Sequence, residues 1–532
     1  MCTLPPFLVH AAVCFLAGAT TMQSAPPPAP AVPHRLDGSF DDWSSLDRVA
    51  TKYDREGDAA AGAADVTTVS LASDPHWLWI YITLAQPMTL QGLDQPMMLL
   101  IDVDAMESTG AQGGPMVGAE FAVIFSPSEQ DRRDSGDSTV AANPRRISQG
   151  AHGEGVVVRR LQDDGTLGDR ISSESVGLGM APAFASTKFE IRLARSATHF
   201  AGFSAAARVV SLRLTPPDRV DLIEETEVSR TLLVPRSPVD VPKADASSVA
   251  RPPDTMRLIS WNAEFGALFK NPEPFGATLK SLDPDVVLWQ ELGKDATAAS
   301  LTEWMNARVP SAGAPWKAIV SGGDLRTGIA AKGALTNAPF LDGLQRSTPK
   351  GNRPVRITGA LLDVNGSPFL LASLHLKCCG RYQSSEDDTR TAEAAAIRDA
   401  LRQAQEKLAA EGRPAAFTIV AGDFNLVGDR SVLTKIGAGA DLAIVDAYQL
   451  DGTTNATWRS AGNQFVPSRL DWMLFSNHSL DVQKSFVFST EDLATDAVTQ
   501  LALPASALGE ASDHQPIVVD VVLRPRTFET GR

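Results

Sequence analysis

"TIVAGDFNLVGD", residues 418–429, is the stretch on which the fold of this chain turns. From Thr418 to Ala421, β-branched and apolar residues follow one another without alternation, as in a strand buried on both faces. The run ends in Gly422, a carboxylate at Asp423 and a carboxamide at Asn425. Glycine lets the backbone turn, and Asp and Asn at the mouth of a buried strand make either an Asx-type turn or part of a site. One such ending is a turn, so the rest of the chain has to decide.

It carries several more. "MRLISWNAEFG" (256–266) reads as a strand ending in Asn262 and Glu264, and "DPDVVLWQELG" (283–293) as one ending in Gln290 and Glu291. "FLLASLHLKCCG" (369–380) places His375 near the end of a third. "SRLDWMLFS" (468–476) holds Asp471 within a fourth, and "ASDHQPIVVDVV" (511–522) opens a fifth with Asp513 and His514. Apolar strands that each deliver acid, amide or imidazole at an end point to one shared site. Between His375 and Asp423, "SSEDDTRTAEAAAIRDALRQAQEKLAAEGRP" begins with Ser and acids, runs through helix formers and stops at Gly412 and Pro414. Those are N-cap, helix and stop signals in the right order, so a strand, a long helix and a strand follow in sequence. This is an α/β layer.

At 532 residues the chain exceeds one ordinary core, and two domains plus appendages are expected. Hydrophobic residues at 43% and charged residues at 21% are globular proportions rather than those of a disordered chain. The net charge of −15 is uneven: from Thr255 onward 27 Lys+Arg face 31 Asp+Glu, a net of −4, and the remainder (21 against 32) carries −11. A protein that grips duplex phosphates chiefly by charge needs a basic excess, so that class is disfavoured and only a local basic groove stays open.

Residues 1–25 read as an export signal. The apolar run from Phe7 to Leu16 is too short to span a bilayer, and Ala17-Gly18-Ala19 fits a cleavage pattern, although no Lys or Arg precedes the run. Cys14 lacks a lipoprotein-type context. A Pro-rich spacer (26–34) follows, and the expectation is a secreted or periplasmic protein with no transmembrane helix in the mature chain. Once Cys2 and Cys14 leave, only Cys378 and Cys379 remain, which excludes a long-range disulfide scaffold. The pair forms either a vicinal disulfide or two thiols, and a zinc site needs more ligands than these.

Residues 35–235 contain "HWLWIYITL" (76–84), "MMLLIDVD" (97–104), "GAEFAVIF" (118–125) and "TKFEIRLAR" (187–195), short strand signals bounded by Gly, Pro and Asp without a long amphipathic helix. They predict an all-β sandwich. "LDGSFDDW" (36–43), "LLIDVDAMESTG" (99–110), "GAEF" (118–121) and "TKFEIRLAR" resemble the family 9 carbohydrate-binding modules. That resemblance implies an accessory domain for a polysaccharide or cell-surface glycan. Asp102 and Asp104 either hold a structural Ca²⁺ or end a strand in a turn. Trp43, Trp77 and Trp79 either stack on sugars or belong to the core. Residues 236–254, rich in Pro, Ser and Ala, read as a linker, so the domain at 255–525 is expected to fold without what precedes it.

"SWNAE", "WQE", "SLHLK", "GDFN", "RLDWML" and "SDHQP", in this order over residues 256–523, resemble the endonuclease/exonuclease/phosphatase superfamily, whose members include deoxyribonuclease I, abasic-site endonucleases, neutral sphingomyelinases and inositol polyphosphate 5-phosphatases. The resemblance implies a deoxyribonuclease I-like α/β four-layer sandwich and metal-dependent hydrolysis of a phosphate ester. Carried over residue by residue, Glu291 is the principal metal carboxylate, Asn262 and Glu264 sit beside it, and Asp513 completes the cage. Asp423 orients or deprotonates the attacking water, and Asn425 holds the water or a phosphate oxygen. Asp471 polarises His514, and His375 binds the phosphoryl group. Asp324 is the candidate acid behind His375, with Arg326 or Lys332 as phosphate contacts. Hard oxygen ligands favour Mg²⁺ or Mn²⁺ over zinc. A nucleic acid is the first-ranked substrate, with a phospholipid head group or an inositol phosphate next. The contrasting class, a non-catalytic surface-binding protein on a relic hydrolase fold, is disfavoured because relics lose ligands and here every expected position is filled.

Overall fold

A computed structural model of the chain describes residues 34–523, apart from 47–49, 58, 60–62, 103–105, 114–116, 128–153, 198–207, 216–218, 223–225, 228–239, 365 and 505–510. The export signal with Cys2 and Cys14, most of the Pro-rich spacer, Asp104, part of the linker and the last two residues assigned to the second domain lie outside the described residues. Among the described residues, no helix is long and apolar enough to cross a membrane.

The first half is the β-sandwich that its short strands predict. One sheet contains Val66–Ser73, Trp77–Met88 and Ser186–Ala194 as antiparallel neighbours, and the other contains Met97–Asp102, Phe121–Phe125 and Val156–Leu161. Alternate residues such as Leu71, Ile80, Leu99, Val123, Phe189 and Ile191 meet between the sheets in one buried cluster. Trp79 is fully buried and packs with Trp43 and Leu36 in a second cluster, while Arg192 covers the face of Trp77 at 3.9 Å. The buried tryptophans are core, so neither Trp43 nor Trp79 offers a free ring face to a sugar. Asp102 is buried at the end of its strand.

The second half shows four layers. One six-stranded sheet includes Met256–Asn262, Val286–Gln290, Gly328–Lys332 and Ile517–Leu523. The other includes Ile357–Val364, Ser367–His375, Phe417–Asp423 and Asp471–Phe475. Leu258, Val286, Leu288 and Ile329 of the first sheet pack against Leu371, Ile419, Ala421 and Met473 of the second. The alternate residues Ile259, Trp261, Val287 and Trp289 pack outward with Phe275, Leu279, Leu301 and Met305 of the helices Pro272–Leu282 and Ala298–Arg308. On the far side, Leu370, Val420 and Leu474 pack with Ile397, Leu401 and Leu408 of the helix Ser385–Ala410. Strands buried on both faces explain the unbroken apolar runs in the sequence. The long helix begins where expected, with Ser384 accepting the Asp387 amide, and ends next to Gly412 at φ +72°.

Gly422 serves a purpose other than a turn. The strand runs on through it to Asp423, and at φ +147° a Cβ there would lie 1.9 Å from the Leu374 carbonyl oxygen of the neighbouring strand. Close strand approach requires the glycine.

Residues 240–254, read from composition as a linker, pack on the second half. Val249 is buried in the layer with Phe486, and the Arg257 guanidinium donates to its carbonyl at 3.0 Å. The same guanidinium makes a bidentate pair with Asp520, both distances 2.7 Å, that joins two adjacent strands. Breaking such a buried pair costs about 3–5 kcal/mol. Residues 240–254 are thus part of the packing of the second half rather than a free linker.

Candidate active site

Asn262, Glu264, Glu291, His375, Asp423, Asn425, Asp471, Asp513 and His514 of the sequence-predicted set lie at one end of the two facing sheets. Asn262 pairs with Gln290 in parallel register, one residue before Glu291. His375 pairs with Asp423, and Asp423 with Asp471. Asp513 and His514 lie just before the strand Ile517–Leu523, separated from it by Gln515 and Pro516, and that strand runs antiparallel to Met256–Asn262. The sheet ends meet across the core, where the Asn262 side-chain amide donates to Asp423 Oδ2 at 3.1 Å and lies 3.4 Å from Glu291 Oε1.

Glu291, His375 and Asp423 form the tightest group, with one ligand atom from each lying within 4.8 Å of the others. His375 Nε2 is 3.5 Å from Glu291 Oε1 and 3.6 Å from Asp423 Oδ2. Burial, and then the Arg356 and His514 cations, hold the His375 imidazole well below its usual range, so it is a neutral donor–acceptor. Its other nitrogen, Nδ1, lies 3.4 Å from Arg356 Nη1. The group behind His375 is thus an arginine rather than the acid expected at Asp324, which is exposed on its loop. Neither basic alternative faces the site: Arg326 donates to the Ala296 and Gly323 carbonyls, and Lys332 pairs with Asp283 at the opposite end of the sheet.

His514 is built differently. Its Nδ1 lies 2.7 Å from Asp471 Oδ2, and its Nε2 lies 3.8 Å from Asp423 Oδ2 and 3.9 Å from Asp513 Oδ1. Burial opposes its charge, but Asp471 and then Asp423 outweigh that and raise it to about 10. The Asp471 oxygen also accepts the Thr457 hydroxyl at 2.7 Å, which fixes the carboxylate that fixes the imidazole. Asp423 is fully enclosed. Burial, and then the neighbouring Asp471 and Glu291 carboxylates, push it up to about 8 against the pull of His514.

Three carboxylates, Glu291, Asp423 and Asp471, therefore converge around one imidazolium. Without a cation Asp423 holds a proton among them, and the donors are hard oxygens, so the residues present fit a divalent cation that would let it ionise. Glu291 adopts φ +53°, a left-handed backbone that a non-glycine residue enters at a cost, and its Oε2 is oriented by the Phe265 amide at 3.0 Å. Glu264 (φ +39°) accepts the Asp513 amide at 3.0 Å, and burial raises its carboxyl. It shapes the loop that presents Asp513. Asn262 Oδ1 accepts the Glu264 amide at 2.9 Å, so this side chain orients both neighbours. Asn425 donates its side-chain amide to the Leu376 carbonyl at 3.3 Å, and its backbone amide donates to Asp423 Oδ1 at 2.9 Å.

Thr457, Trp458 and Arg356 are missing from the sequence-based set. Trp458 Nε1 donates to Asp513 Oδ2 at 2.9 Å. Thr457 and Trp458 lie on irregular backbone that no periodicity marks, whereas Arg356 directly precedes the buried strand Ile357–Val364 and carries a strand-end signal. Cys378 and Cys379 are free thiols with sulfur atoms 2.8 Å apart, on the loop that leaves His375.

Residues 259–514 match the model of the Endonuclease/Exonuclease/phosphatase family. Among solved structures, the human Nocturnin catalytic domain with bound sulfate is 16% identical, over 52% of this chain and 97% of that one, with a TM-score of 0.34. An endonuclease/exonuclease/phosphatase from Bacteroides vulgatus is 14% identical, over 51% and 99%, with a TM-score of 0.36. The AP endonuclease LMAP from Leishmania major is 18% identical, over 54% and 93%, with a TM-score of 0.33. None of the curated proteins compared matches the chain.

Proposed function

We propose that this chain, whose residues 259–514 belong to the endonuclease/exonuclease/phosphatase family and which is therefore a hydrolase of phosphate esters, is an exported phosphodiesterase that uses Mg²⁺ or Mn²⁺. A nucleic-acid strand ranks first as its substrate. The observation that carries the reading is the cluster itself, with Asp423 lying 3.6 Å from His375, 3.8 Å from His514 and in hydrogen-bond contact with Asn262.

In this reading Glu291 is the main support of the cation, with Asp513, Asn262 and Glu264 around it. Bound there, a divalent cation would supply charge neutralisation and lower the pKa of water. Asp423, in its ionised form, accepts a proton from the attacking water as the new P–O bond forms and the ester P–O bond breaks, and the leaving oxygen takes its proton from solvent. His514, kept protonated by Asp471, donates to a phosphoryl oxygen through Nε2 as negative charge develops there. Neutral His375 donates to a second phosphoryl oxygen. Arg356 and Lys377 add positive charge, as befits a phosphate site on a domain whose net charge is only −4.

The same near-neutral charge favours a second reading, a lipid head group or another small phosphodiester. Plasmid DNA, single-stranded DNA, RNA, sphingomyelin, a phosphoinositide and bis(p-nitrophenyl) phosphate, each with and without chelator, separate the two. Cleavage of nucleic acid restored by Mg²⁺ or Mn²⁺ is the expected result. Undiminished turnover after chelation overturns the metal, and hydrolysis confined to a lipid overturns the substrate ranking. Export is checked by the N-terminal sequence of the secreted protein, which should start near residue 20–26.

A further inference from the structure

The sandwich is not a free appendage, because one short segment of it touches three loops of the site. The strand Trp77–Met88 ends and Met97–Asp102 begins with Thr89–Asp94 between them. Leu90 and Leu93 plug into the sandwich core, while Thr89, Gln91, Gly92 and Asp94 reach the second half. Ser126 braces the segment from behind: its hydroxyl donates to the Leu90 carbonyl and accepts the Leu93 amide, both at 2.8 Å.

Thr89 holds two loops with one buried hydroxyl. It donates to the Val427 carbonyl at 2.8 Å, on the loop leaving Asp423 and Asn425. It accepts the Tyr382 amide at 3.1 Å, on the loop leaving His375. Arg381 of that second loop donates to the Gly92 carbonyl at 3.1 Å and pairs with Asp94. A Cβ on Gly92 would come within 3.0 Å of Arg381 Cβ, so the approach is close. The third loop, 457–470, begins with Thr457 and Trp458, which hold Asp471 and Asp513. Gln91 Oε1 accepts its Val466 amide at 3.0 Å, and the fully buried Val466 side chain belongs to the sandwich core.

We propose that Thr89–Asp94 is a positioning strap for the hydrolytic site, fixing through Thr89 and Gln91 the loops next to His375, Asp423 and Asp471. The inference rests on the reading of that site as hydrolytic. The physical reason is that near-attack geometry tolerates little slack, and displacing site groups by about 1 Å can cost on the order of a hundredfold in rate. The strap is anchored in a rigid sandwich core and so limits that slack from outside the α/β layers.

The test uses the full chain, Mn²⁺ and bis(p-nitrophenyl) phosphate. Thr89→Val removes the hydroxyl at nearly constant volume, and Thr89→Ser restores it. The expected result for Thr89→Val is a kcat lower by about tenfold or more with KM within about twofold, since positioning rather than ground-state binding is lost. Thr89→Ser should recover most of that loss. Hydrogen–deuterium exchange should accelerate together in peptides covering 376–384 and 424–430, and stay unchanged in 286–290. If Thr89→Val does not fold, Arg381→Ala, at a partly exposed position, should speed exchange in 376–384 and lower kcat in the same direction. Unchanged exchange in both loops overturns the strap, and so does faster exchange with unchanged kcat. Should the wild-type chain hydrolyse no phosphate ester, the functional reading fails, and the exchange measurement alone still decides whether the strap holds the loops.

Discussion

His34 in the sandwich lies 3.0 Å from Asp42 and 3.7 Å from Glu190, and His514 in the second half lies 2.7 Å from Asp471 and 3.8 Å from Asp423. Each is a buried imidazole between two carboxylates. The surroundings separate them. Glu190 is saturated by its own chain, with Oε1 accepting the amides of Asp37 and Gly38 at 2.7 Å and Oε2 accepting the Trp43 indole at 3.2 Å. The His34 ring is boxed edge-on by Trp79 and Trp43 at 4.3 and 5.1 Å. Asp423 instead shares its space with His375, Asn262 and a further carboxylate, Glu291, all from different strand ends. A carboxylate satisfied by backbone donors secures a chain. One left among competing side chains with surplus negative charge awaits a cation and a substrate.

The largest effect that sharpens this contrast is expected at Glu291. Glu291→Gln, or EDTA on the wild type, should lower hydrolysis by about a thousandfold or more, because the main counter-charge for the cation disappears. Mn²⁺ binding followed by electron paramagnetic resonance should fall with it and persist in Glu190→Gln. Binding that survives Glu291→Gln and vanishes in Glu190→Gln would reverse the contrast and place the cation beside His34.

Next comes the pair that the sandwich triad only mimics. His514→Ala should reduce kcat by hundreds of times or more, since a transition-state contact is lost. Asp471→Asn should cost the same or less, because the imidazole remains but loses the carboxylate that charges and orients it. With the two groups 2.7 Å apart, the double variant should be scarcely worse than His514→Ala alone. Strictly multiplicative losses in folded variants would show that they act separately.

What could be read from the sequence follows from what each residue does to its neighbours along the chain. Asn262, Glu291, His375, Asp423, Asp471 and His514 interrupt or end apolar runs, and a strand end is a place that periodicity locates. Their convergence was legible because so many apolar strands carry an acid, amide or imidazole at an end. Thr457 and Trp458 act through irregular backbone, in a loop whose shape is set partly by Gln91 and Val156 of the other half, and no local pattern encodes such contacts. The segment 240–254 failed for a similar reason. Its Pro, Ser and Ala look like a linker, yet one residue, Val249, anchors it by filling a place in the core. The tryptophans of the sandwich were ambiguous in kind, since composition cannot say whether an indole faces a sugar or a core.

A smaller effect is expected from Trp458, whose indole holds Asp513 at 2.9 Å. Trp458→Phe keeps the ring and removes the donor. Outer contacts of this sort typically change metal affinity by about 10–100-fold. The Mn²⁺ dissociation constant should rise by about tenfold, while kcat at saturating Mn²⁺ stays within about threefold. An unchanged affinity would detach Asp513 from the cation and leave it a loop residue.

The smallest effect on activity belongs to Glu190, and it tests whether the sandwich triad is purely structural. Burial outweighs its three donors and raises this carboxyl to about 8, above the value of 4.5 that it has in an unfolded chain. Between those two pH values the folded protein holds a proton that the unfolded chain has released, so this group's contribution to stability falls as pH rises from about 4.5 to about 8. Glu190→Gln cannot titrate, and its amide presents a donor to the Trp43 indole where the carboxylate offered an acceptor. Loss of that contact costs about 1–3 kcal/mol, a fall of a few degrees in Tm at pH 5 for a chain of this size. At pH 8.5 the wild type has paid its own ionisation cost, and the gap between the two melting curves should narrow or reverse. The kcat should stay within about twofold of wild type at either pH, since no oxygen of Glu190 faces the site. Parallel Tm curves across this range would show that the carboxyl is ionised throughout. A lowered kcat without a lowered Tm would show that the sandwich triad acts on the chemistry after all.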